Sequence, residues 1–479
     1  MNPTIRKHLK KYKEMSPVAK SSMALVLAKF FQKGLSLVTS PVFTRIMPQT
    51  EYGVVSTYLS WQTVIYIIAT LNMAQGVFNN GMIDYKEDRD GFTCSILVLA
   101  NGCTLLAAIV YLIGHRWLAP LIDLPDPLIM LLFLYCMLTP AYNYWMSRQR
   151  FEYKYRSILL VMMVSSVLSS VLSIACVLLA PDQNKATAKL LGSEGVMIGV
   201  GLIFFVLQWK NVVNNFKISY CQYALIYNLP LLPHYLSMYV LSSSDRIMIS
   251  KMAGSAQTAI YNVAYTVASI LLIFWNSVDA AYAPWIYQKM EEKNHRVIGR
   301  RGSQVLLVFF AATILATLFA PEIMLILAPR SYQEGIYVIP AVAAGVFFTA
   351  VYSLYMRVEL YLKKMHIVTL GTVAAAVLNL VLNAVFIPYF GYIAAAYTTL
   401  ICYILLALFH YVNIKRLGYG RVYDNGFVLA ISLAACIVTV IVSILYKYTA
   451  VRYVCMLGLI IFLIWKRKWI IEIVRSKRG

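Results

Sequence analysis

Charged residues are scarce in this chain of 479 residues, and acidic residues are the scarcest of them. Only 13% of the positions are charged, with 20 Asp and Glu residues against 42 Lys and Arg residues, whereas 60% are hydrophobic. The mean hydropathy is +0.69. Soluble domains are about half apolar and about one quarter charged. The composition therefore excludes an ordinary soluble domain and predicts an integral membrane protein.

The eight cysteines form no recognisable site. No Cys-x-x-Cys pair occurs and no histidine stands at metal-ligand spacing, so we expect neither a disulfide framework, nor a metal site, nor a bound cofactor. The first residues, MNPTIRKHLKKYKEMSPVAK, are basic like the start of a signal peptide. The apolar run after them is too long for one and lacks a small-residue cleavage site. We expect a retained basic arm over 1–20.

Apolar runs long enough to cross about 30 Å of hydrocarbon recur along nearly the whole chain. They predict an all-α, polytopic membrane protein with about fourteen transmembrane helices. The predicted spans are 21–46, 52–78, 92–114, 127–145, 157–180, 191–209, 222–250, 257–285, 303–327, 336–361, 366–388, 391–413, 427–446 and 450–465.

The basic residues between the spans predict the orientation in the membrane. If the N-terminus is cytoplasmic, the inner segments carry about four times as many Lys and Arg residues as the outer ones. Both termini are then cytoplasmic. The net charge of +22 is thus mainly a topology signal that also favours anionic lipid headgroups, and we expect no nucleic-acid partner.

The connections between spans are too short to hold a soluble catalytic domain, so we do not expect an enzyme. One acidic cluster, KEDRDG over 86–91, contains Asp88 and Asp90 in an Asp-x-Asp pair. Such a pair could resemble the metal-binding carboxylates of nucleotide-sugar transferases. A solvated loop is the favoured interpretation.

Two short internal matches predict a repeat. VLSSVLS over 167–173 aligns with VLNLVLN over 377–383, and a looser match aligns 51–60 with 259–269. The offsets near 210 predict two six-helix bundles in the same orientation, as in transporters that rock two lobes about a site near the midplane. The predicted organisation is an arm over 1–20, an N-lobe over 21–209, a linker over 210–221, a C-lobe over 222–413, and two helices with a basic tail over 414–479.

The first span carries a polar stripe that includes Lys29, Lys33, Ser36 and Ser40. A lysine near the centre of a span costs about 2.5 to 3.5 kcal/mol on insertion scales. Two interpretations stay open. Neighbouring carbonyls or an acid on another helix satisfy the two lysines, or the lysines line a wet cavity that receives an anion.

The seventh span carries a second stripe formed by Asn228, Tyr235, Tyr239, Ser242 and Arg246. Asp245 and His234 lie on the adjoining face, so Asp245 and Arg246 do not neutralise one another well. Both lie towards the outer end of the span, where Arg246 is predicted to face substrate at the cavity mouth and Asp245 to tether lobes or helices. Pro230 and Pro233 predict a kink near His234, which is a candidate packed hydrogen-bonder or proton relay.

Three further charges fall within predicted spans. Asp279 is predicted either to pair with Lys29, Lys33 or Arg357 or to carry a coupling cation, H⁺ or Na⁺. Glu359 and Arg357 stand near the inner end of their span, where we expect a snorkelling, structural role.

Three segments carry a resemblance to a known family. They are KGLSLVTSPVFTRIMPQTEYG over 33–53, SSSDRIMISKMAGSAQTAIYNVAY over 242–265 and LNLVLNAVFIPYFGYIAAAYTT over 378–399. With these segments the chain resembles the Wzx-type polysaccharide flippases, exporters of O-antigen and capsule repeat units, of the multidrug/oligosaccharidyl-lipid/polysaccharide (MOP) superfamily. The resemblance implies two six-helix bundles in a V shape, two further helices and a cationic cavity.

The implied activity is transfer of an undecaprenyl-diphosphate-linked oligosaccharide from the inner to the outer leaflet of the bacterial inner membrane. A polysaccharide polymerase and chain-length machinery are the expected partners, together with membrane lipids. A lipid II flippase or another exporter of the superfamily is an alternative, and a membrane-embedded glycan polymerase or ligase is a further one. Such enzymes typically need a large outer loop with Arg and His, which the chain does not offer.

Overall fold

The computed structural model describes residues 17–210 and 215–467, although not the side chains of residues 17–25 and 281. The predicted basic arm and tail therefore lie mostly outside the described residues. Within them the chain is helical and contains no strand. The helices are α1 Pro17–Ile46, α2 Gln49–Ala69, α3 Val77–Asp84, α4 Arg89–Ile113, α5 His115–Ile122, α6 Asp126–Phe151, α7 Tyr155–Leu179, α8 Lys185–Trp209, α9 Ile218–Asn228, α10 Leu232–Ala253, α11 Ser255–Glu291, α12 His295–Leu318, α13 Ala320–Leu327, α14 Ile339–Tyr361, α15 Met365–Phe390, α16 Tyr392–Arg416, α17 Asn425–Leu445 and α18 Thr449–Trp465.

In the described ranges, ten helical segments are long and apolar enough to cross a membrane. The chain is a multi-pass membrane protein with the predicted all-α fold. The predicted first, second, seventh and fourteenth spans are not among the ten. Lys29 and Lys33 interrupt the first, and the last, Thr449–Trp465, is short. The second and seventh are broken helices whose longer parts, α2 and α10, have enough residues to cross but are not apolar enough. The count of fourteen stays a prediction.

The chain forms two compact units, which divide in sequence between Leu236 and Ser237, within α10. The predicted linker over 210–221 thus falls inside the N-terminal unit, together with the first half of the seventh span. Helix starts recur with the predicted spacing. α7 begins at Tyr155 and α15 at Met365, 210 residues later, while α2 and α11 begin at Gln49 and Ser255, 206 residues apart.

Each unit has its own core. In the N-terminal unit, aromatic side chains of α3, α4 and α6 pack together, with the Phe78 and Tyr144 rings stacked at 4.7 Å between centroids. In the C-terminal unit, α14 is the central helix. In the most apolar stretch of Arg330–Tyr361, 83% of the residues are buried, and α14 packs on α11, α12 and α16.

Asp88 and Asp90 stay in contact with solvent, as predicted, and each also forms an ion pair. Asp88 caps α4 through the Gly91 amide at 3.0 Å, and its Oδ2 atom lies 2.6 Å from the Lys217 ammonium. Lys217 thereby holds the pKa of the Asp88 carboxyl below its usual range. Asp90 pairs instead with Arg148. Different cations engage the two carboxylates, which accounts for both of them structurally and fastens the segment before α9 to α4.

Close packing of α7 on α8 depends on Gly192. A Cβ atom there would lie 2.5 Å from the Ser173 backbone, which is closer than carbon atoms can approach. We therefore expect Gly192→Ala to force the two helices apart and to lower the unfolding temperature of the purified protein by several degrees. Gly195→Ala is the matched control, because Gly195 lies on the same helix and an added Cβ atom there would meet nothing within 4 Å. Equal unfolding temperatures for the two variants would contradict this packing.

Candidate functional site

Lys29 and Lys33 stand one turn apart on α1, and both side chains are exposed. Neither ammonium group has an ion pair or hydrogen bond with any described residue. Ser36, one turn further along the same stripe, is exposed as well. The described part of the chain therefore offers these lysines no internal partner, which favours a role toward an external anion.

The other side of α1 is packed. Ala28 is buried against Ile158 and Met162 of α7, and the Gln32 amide donates to the Ser166 hydroxyl at 2.9 Å. The polar stripe passes from exposed to buried at Ser40, which lies within hydrogen-bonding reach of Tyr52. Among Lys29, Lys33, Ser36 and Ser40, Ser40 is thus the buried residue.

The N-terminal unit contains a buried acid that the sequence analysis missed. Glu194 on α8 is 7% exposed and accepts from the Gln62 amide at 2.7 Å and from the Ser193 hydroxyl at 3.3 Å. One turn earlier, the Lys189 ammonium lies over the Phe43 ring at 4.4 Å. The available signal was a single acid in the otherwise apolar span 191–209. Lys189 lies outside the predicted span, because α8 begins at Lys185, six residues before that span.

The seventh span is a broken helix. α9 ends at Asn228, a 3₁₀ turn follows over Leu229–Leu231, and α10 begins at Leu232. Asn228 is fully buried rather than exposed on a cavity stripe. Its amide donates to the Leu71 carbonyl, and its oxygen accepts from the Val77 amide at 3.4 Å.

The Asn228 side chain fills a break in the predicted second span. That span was expected to run unbroken over 52–78, but α2 ends at Ala69, and Leu71 and Asn72 have left-handed backbones with φ of 51° and 48°. Tyr235 lies nearby, because its hydroxyl would be 2.8 Å from a Cβ atom added at Gly76.

The predicted tyrosine stripe is divided. Tyr235 belongs to the N-terminal unit and is partly buried, whereas Tyr239 belongs to the C-terminal unit and is 7% exposed. His234 is partly buried, and its ring centroid lies 6.1 Å from that of Tyr235. Tyr235 and Tyr239 nevertheless lie four residues apart on the continuous helix α10, whereas Pro230 and Pro233 separate both of them from Asn228.

Arg246 lies in the C-terminal unit with partners on α11. Its Nε atom donates to the Asn262 side chain at 2.8 Å, and its guanidinium stacks 4.3 Å above the Tyr265 ring. The side chain is partly exposed. A guanidinium has five N–H donors, so this arrangement orients Arg246 and leaves donors for an anion.

Asp245 faces another direction and is 1% exposed. Its carboxylate accepts from the Tyr261 hydroxyl at 2.6 Å, the Asn383 amide at 2.8 Å and the Thr399 hydroxyl at 3.1 Å. A further hydrogen bond joins Asn379 to Thr399 at 2.9 Å. One carboxylate on α10 therefore binds α11, α15 and α16 together, all inside one unit.

Asp279 pairs with Arg357, one of its three predicted partners. Two parallel bonds join the groups, and the Nε–Oδ1 distance is 3.1 Å. Both side chains are about one-fifth exposed, so the pair is mostly buried but still reached by solvent. Bidentate pairing of this kind fixes the orientation of both groups and links α11 to α14.

The expectation of a snorkelling Glu359 is wrong. Glu359 is fully buried, and its carboxylate contacts the His410 Nδ1 atom at 2.7 Å and accepts from the Asn413 amide at 2.6 Å. The sequence places Glu359 near the end of a span, where snorkelling is open to it, but α16 covers that end and supplies the two partners.

The described residues contain no group of three His, Cys, Asp or Glu side chains able to hold a metal ion. The predicted site residues among them include the exposed, unpaired Lys29 and Lys33 in the N-terminal unit, the oriented guanidinium of Arg246 in the C-terminal unit, and the buried Asp245, which hydrogen-bond donors engage. Such an arrangement can attract an anion.

The protein has two units, and many of its helices are long enough to cross a membrane. Solved structures show that this is the fold of MOP-superfamily transporters. A structure described as the lipid II flippase MurJ in an inward closed conformation is 14% identical, with a TM-score of 0.64 over 93% of this chain and 99% of that chain. An inward-facing multidrug resistance MATE family transporter is 13% identical, with a TM-score of 0.61 over 82% of this chain and 99% of that chain.

A third similar structure is a MOP superfamily transporter from Pyrococcus furiosus, described as having a binding pocket of reverse polarity. It is 14% identical, with a TM-score of 0.51 over 84% of this chain and 96% of that chain. The chain belongs to the family described as polysaccharide biosynthesis protein, which matches residues 18–290, more than half of its length. No curated protein sequence matches it.

Proposed function

We propose that this protein flips an undecaprenyl-diphosphate-linked oligosaccharide repeat unit from the inner to the outer leaflet for cell-surface polysaccharide synthesis. The proposal combines membership of a polysaccharide biosynthesis family with the fold of lipid-linked-substrate and drug transporters. Alternating access of two lobes around a cationic cavity is the mechanism that the sequence predicts.

The observation that carries the proposal is the exposed pair Lys29 and Lys33. Two ammonium groups on one helix turn, to which the described residues offer no carboxylate partner, provide charge for a diphosphate, which cannot enter hydrocarbon unpaired. Drug extruders that bind cations need the opposite charge. Arg246, oriented by Asn262 and Tyr265, supplies a third cation for substrate in the C-terminal unit.

The inside-negative potential of a bacterial inner membrane supports outward movement of such a substrate. Each negative charge that crosses gains about 2.3 kcal/mol per 100 mV. This argument uses the predicted orientation, with both termini cytoplasmic. A polymerase and chain-length machinery would consume the product at the outer face.

A purified, reconstituted protein tests the proposal. We expect vesicles that contain it to move a fluorescent undecaprenyl-diphosphate oligosaccharide between leaflets at least tenfold faster than protein-free vesicles, measured by accessibility of the label to an impermeant quencher. Lipid II, assayed in parallel, is expected to move more slowly. Faster movement of lipid II would favour the alternative flippase, and no movement of either lipid would overturn the proposal.

A further inference from the structure

A cationic cavity lies in the C-terminal unit, at the end where α12 begins and where α16 connects to α17. Its volume is about 470 Å³. It is lined by charged and polar side chains: His295, Arg296, Arg300, Ser303, Arg421 and Asp424. All of them lie in connections or helix ends that the distribution of basic residues predicts to be cytoplasmic. None of these residues belongs to the substrate site described above.

The floor of the cavity is formed by close packing of the connection 418–424 against α12. A Cβ atom on Gly299 would lie 2.8 Å from the Val422 carbonyl, and one on Gly302 would lie 2.9 Å from the Tyr423 ring. Both Val422 and Tyr423 are buried. Two glycines one turn apart on α12 therefore let the connection 418–424 settle directly on the helix.

The connection that presents Arg421 is fastened at several points. The Tyr423 hydroxyl donates to the Leu354 carbonyl at 3.1 Å, and the Tyr419 amide donates to the Ile414 carbonyl at 2.9 Å. The Asn425 amide group binds the Gly420 carbonyl. These bonds set the position of Arg421 opposite the first turns of α12, so the cavity is preformed.

The charge of the cavity is unbalanced. Arg296 and Arg300, four residues apart on α12, and Arg421 have no ion pair with a described residue. The single lining carboxylate, Asp424, is engaged as the cap of α17, where it accepts from the Phe427 amide at 3.1 Å. The N-terminal end of the α12 dipole adds positive potential. Mutual repulsion of three guanidiniums is relieved by an anion.

From this geometry we infer that the cavity is a second anion site, which binds a phosphate-bearing group. Planar guanidiniums form two parallel hydrogen bonds with phosphate oxygens, and three arginines that line one cavity match a group with several such oxygens. Basic pockets between helices at the cytoplasmic side also suit anionic headgroups. Two sources share this chemistry, the headgroup of an anionic membrane lipid and a soluble phosphate compound.

Binding measurements on the full-length protein test the inference independently of transport. The pocket variant carries Arg296→Gln, Arg300→Gln and Arg421→Gln. The control carries Lys86→Gln, Arg156→Gln and Arg416→Gln, which remove the same charge from exposed positions outside the cavity. The probes are phosphatidylglycerol and phosphatidylcholine, by native mass spectrometry, and pyrophosphate, by titration calorimetry.

We expect the dissociation constant of one probe to rise at least tenfold in the pocket variant and less than twofold in the control. Loss of phosphatidylglycerol binding with phosphatidylcholine unaffected identifies a lipid headgroup as the source, whereas loss of pyrophosphate binding alone identifies a soluble phosphate. Equal behaviour of the two triple variants, whether both lose binding or neither does, overturns the inference. If the pocket variant does not fold, Arg421→Gln alone is expected to weaken binding about threefold, and unchanged binding contradicts the site.

Discussion

Replacing both Lys29 and Lys33 by Ala is expected to reduce export of the lipid-linked glycan about a hundredfold while leaving the protein inserted and folded. A hydrogen bond to a charged group contributes about 1.5 to 3 kcal/mol, so each lost lysine accounts for about tenfold or more. Because both side chains are exposed and unpaired within the described chain, their removal leaves no buried group unsatisfied. Export is measured as surface polysaccharide in cells whose own flippase is deleted.

The matched controls separate charge from packing. Lys29→Arg with Lys33→Arg keeps both charges and should retain most of the export, whereas Lys251→Ala removes an exposed lysine elsewhere and should be silent. Arg246→Ala is expected to weaken export less than the double lysine change, because it removes one cation at the predicted mouth. Normal export by a well-expressed double Ala variant would contradict the assignment of Lys29 and Lys33 to the substrate site.

Asp245→Ala is expected to lower the unfolding temperature of the purified protein by about 4 to 8 °C. The change removes the acceptor of three bonds between helices, which average about 0.6 kcal/mol each in membranes, and strands the donors of Tyr261, Asn383 and Thr399. The summed loss of about 2 kcal/mol corresponds to that shift for a unit of this size. Thermal unfolding in detergent, followed by tryptophan fluorescence, measures it.

Ser242→Ala is the control on the same helix. Its hydroxyl donates to the Met238 carbonyl, one turn back on its own helix, so its loss should cost less than about 1 °C. An Asp245→Ala variant as stable as Ser242→Ala would show that the buried carboxylate does not join the helices energetically. A stable variant that has lost export would instead assign Asp245 to coupling.

The spans that could be read from the sequence are those whose apolar runs are continuous. Hydropathy located the helices that became α4, α7, α8 and α15 to within a few residues, except for the six residues at the start of α8. It joined α2 to α3 across Leu71 and Asn72 because both sides of the break are apolar. A backbone turn stabilised by the distant Asn228 leaves no local signature.

Side-chain partners were harder to predict than helices. The helical wheel separated Asp245 from Arg246, and the structure gives them different partners on different helices. It could not supply those partners, because it describes one helix at a time. Glu359 is an example, because its burial by His410 and Asn413 depends on how α16 packs against α14, which the sequence of one helix does not contain.

The break in the seventh span leaves its first part, α9, in the N-terminal unit. α9, the start of the second predicted half, packs on α4 of the first unit, and α17, which follows the second half, packs on α12. α4 and α12 occupy equivalent positions in the helix order, with starts at Arg89 and His295. Each predicted half is therefore covered, at its third span, by the helix that follows that half in the chain: α9 covers the first half and α17 covers the second.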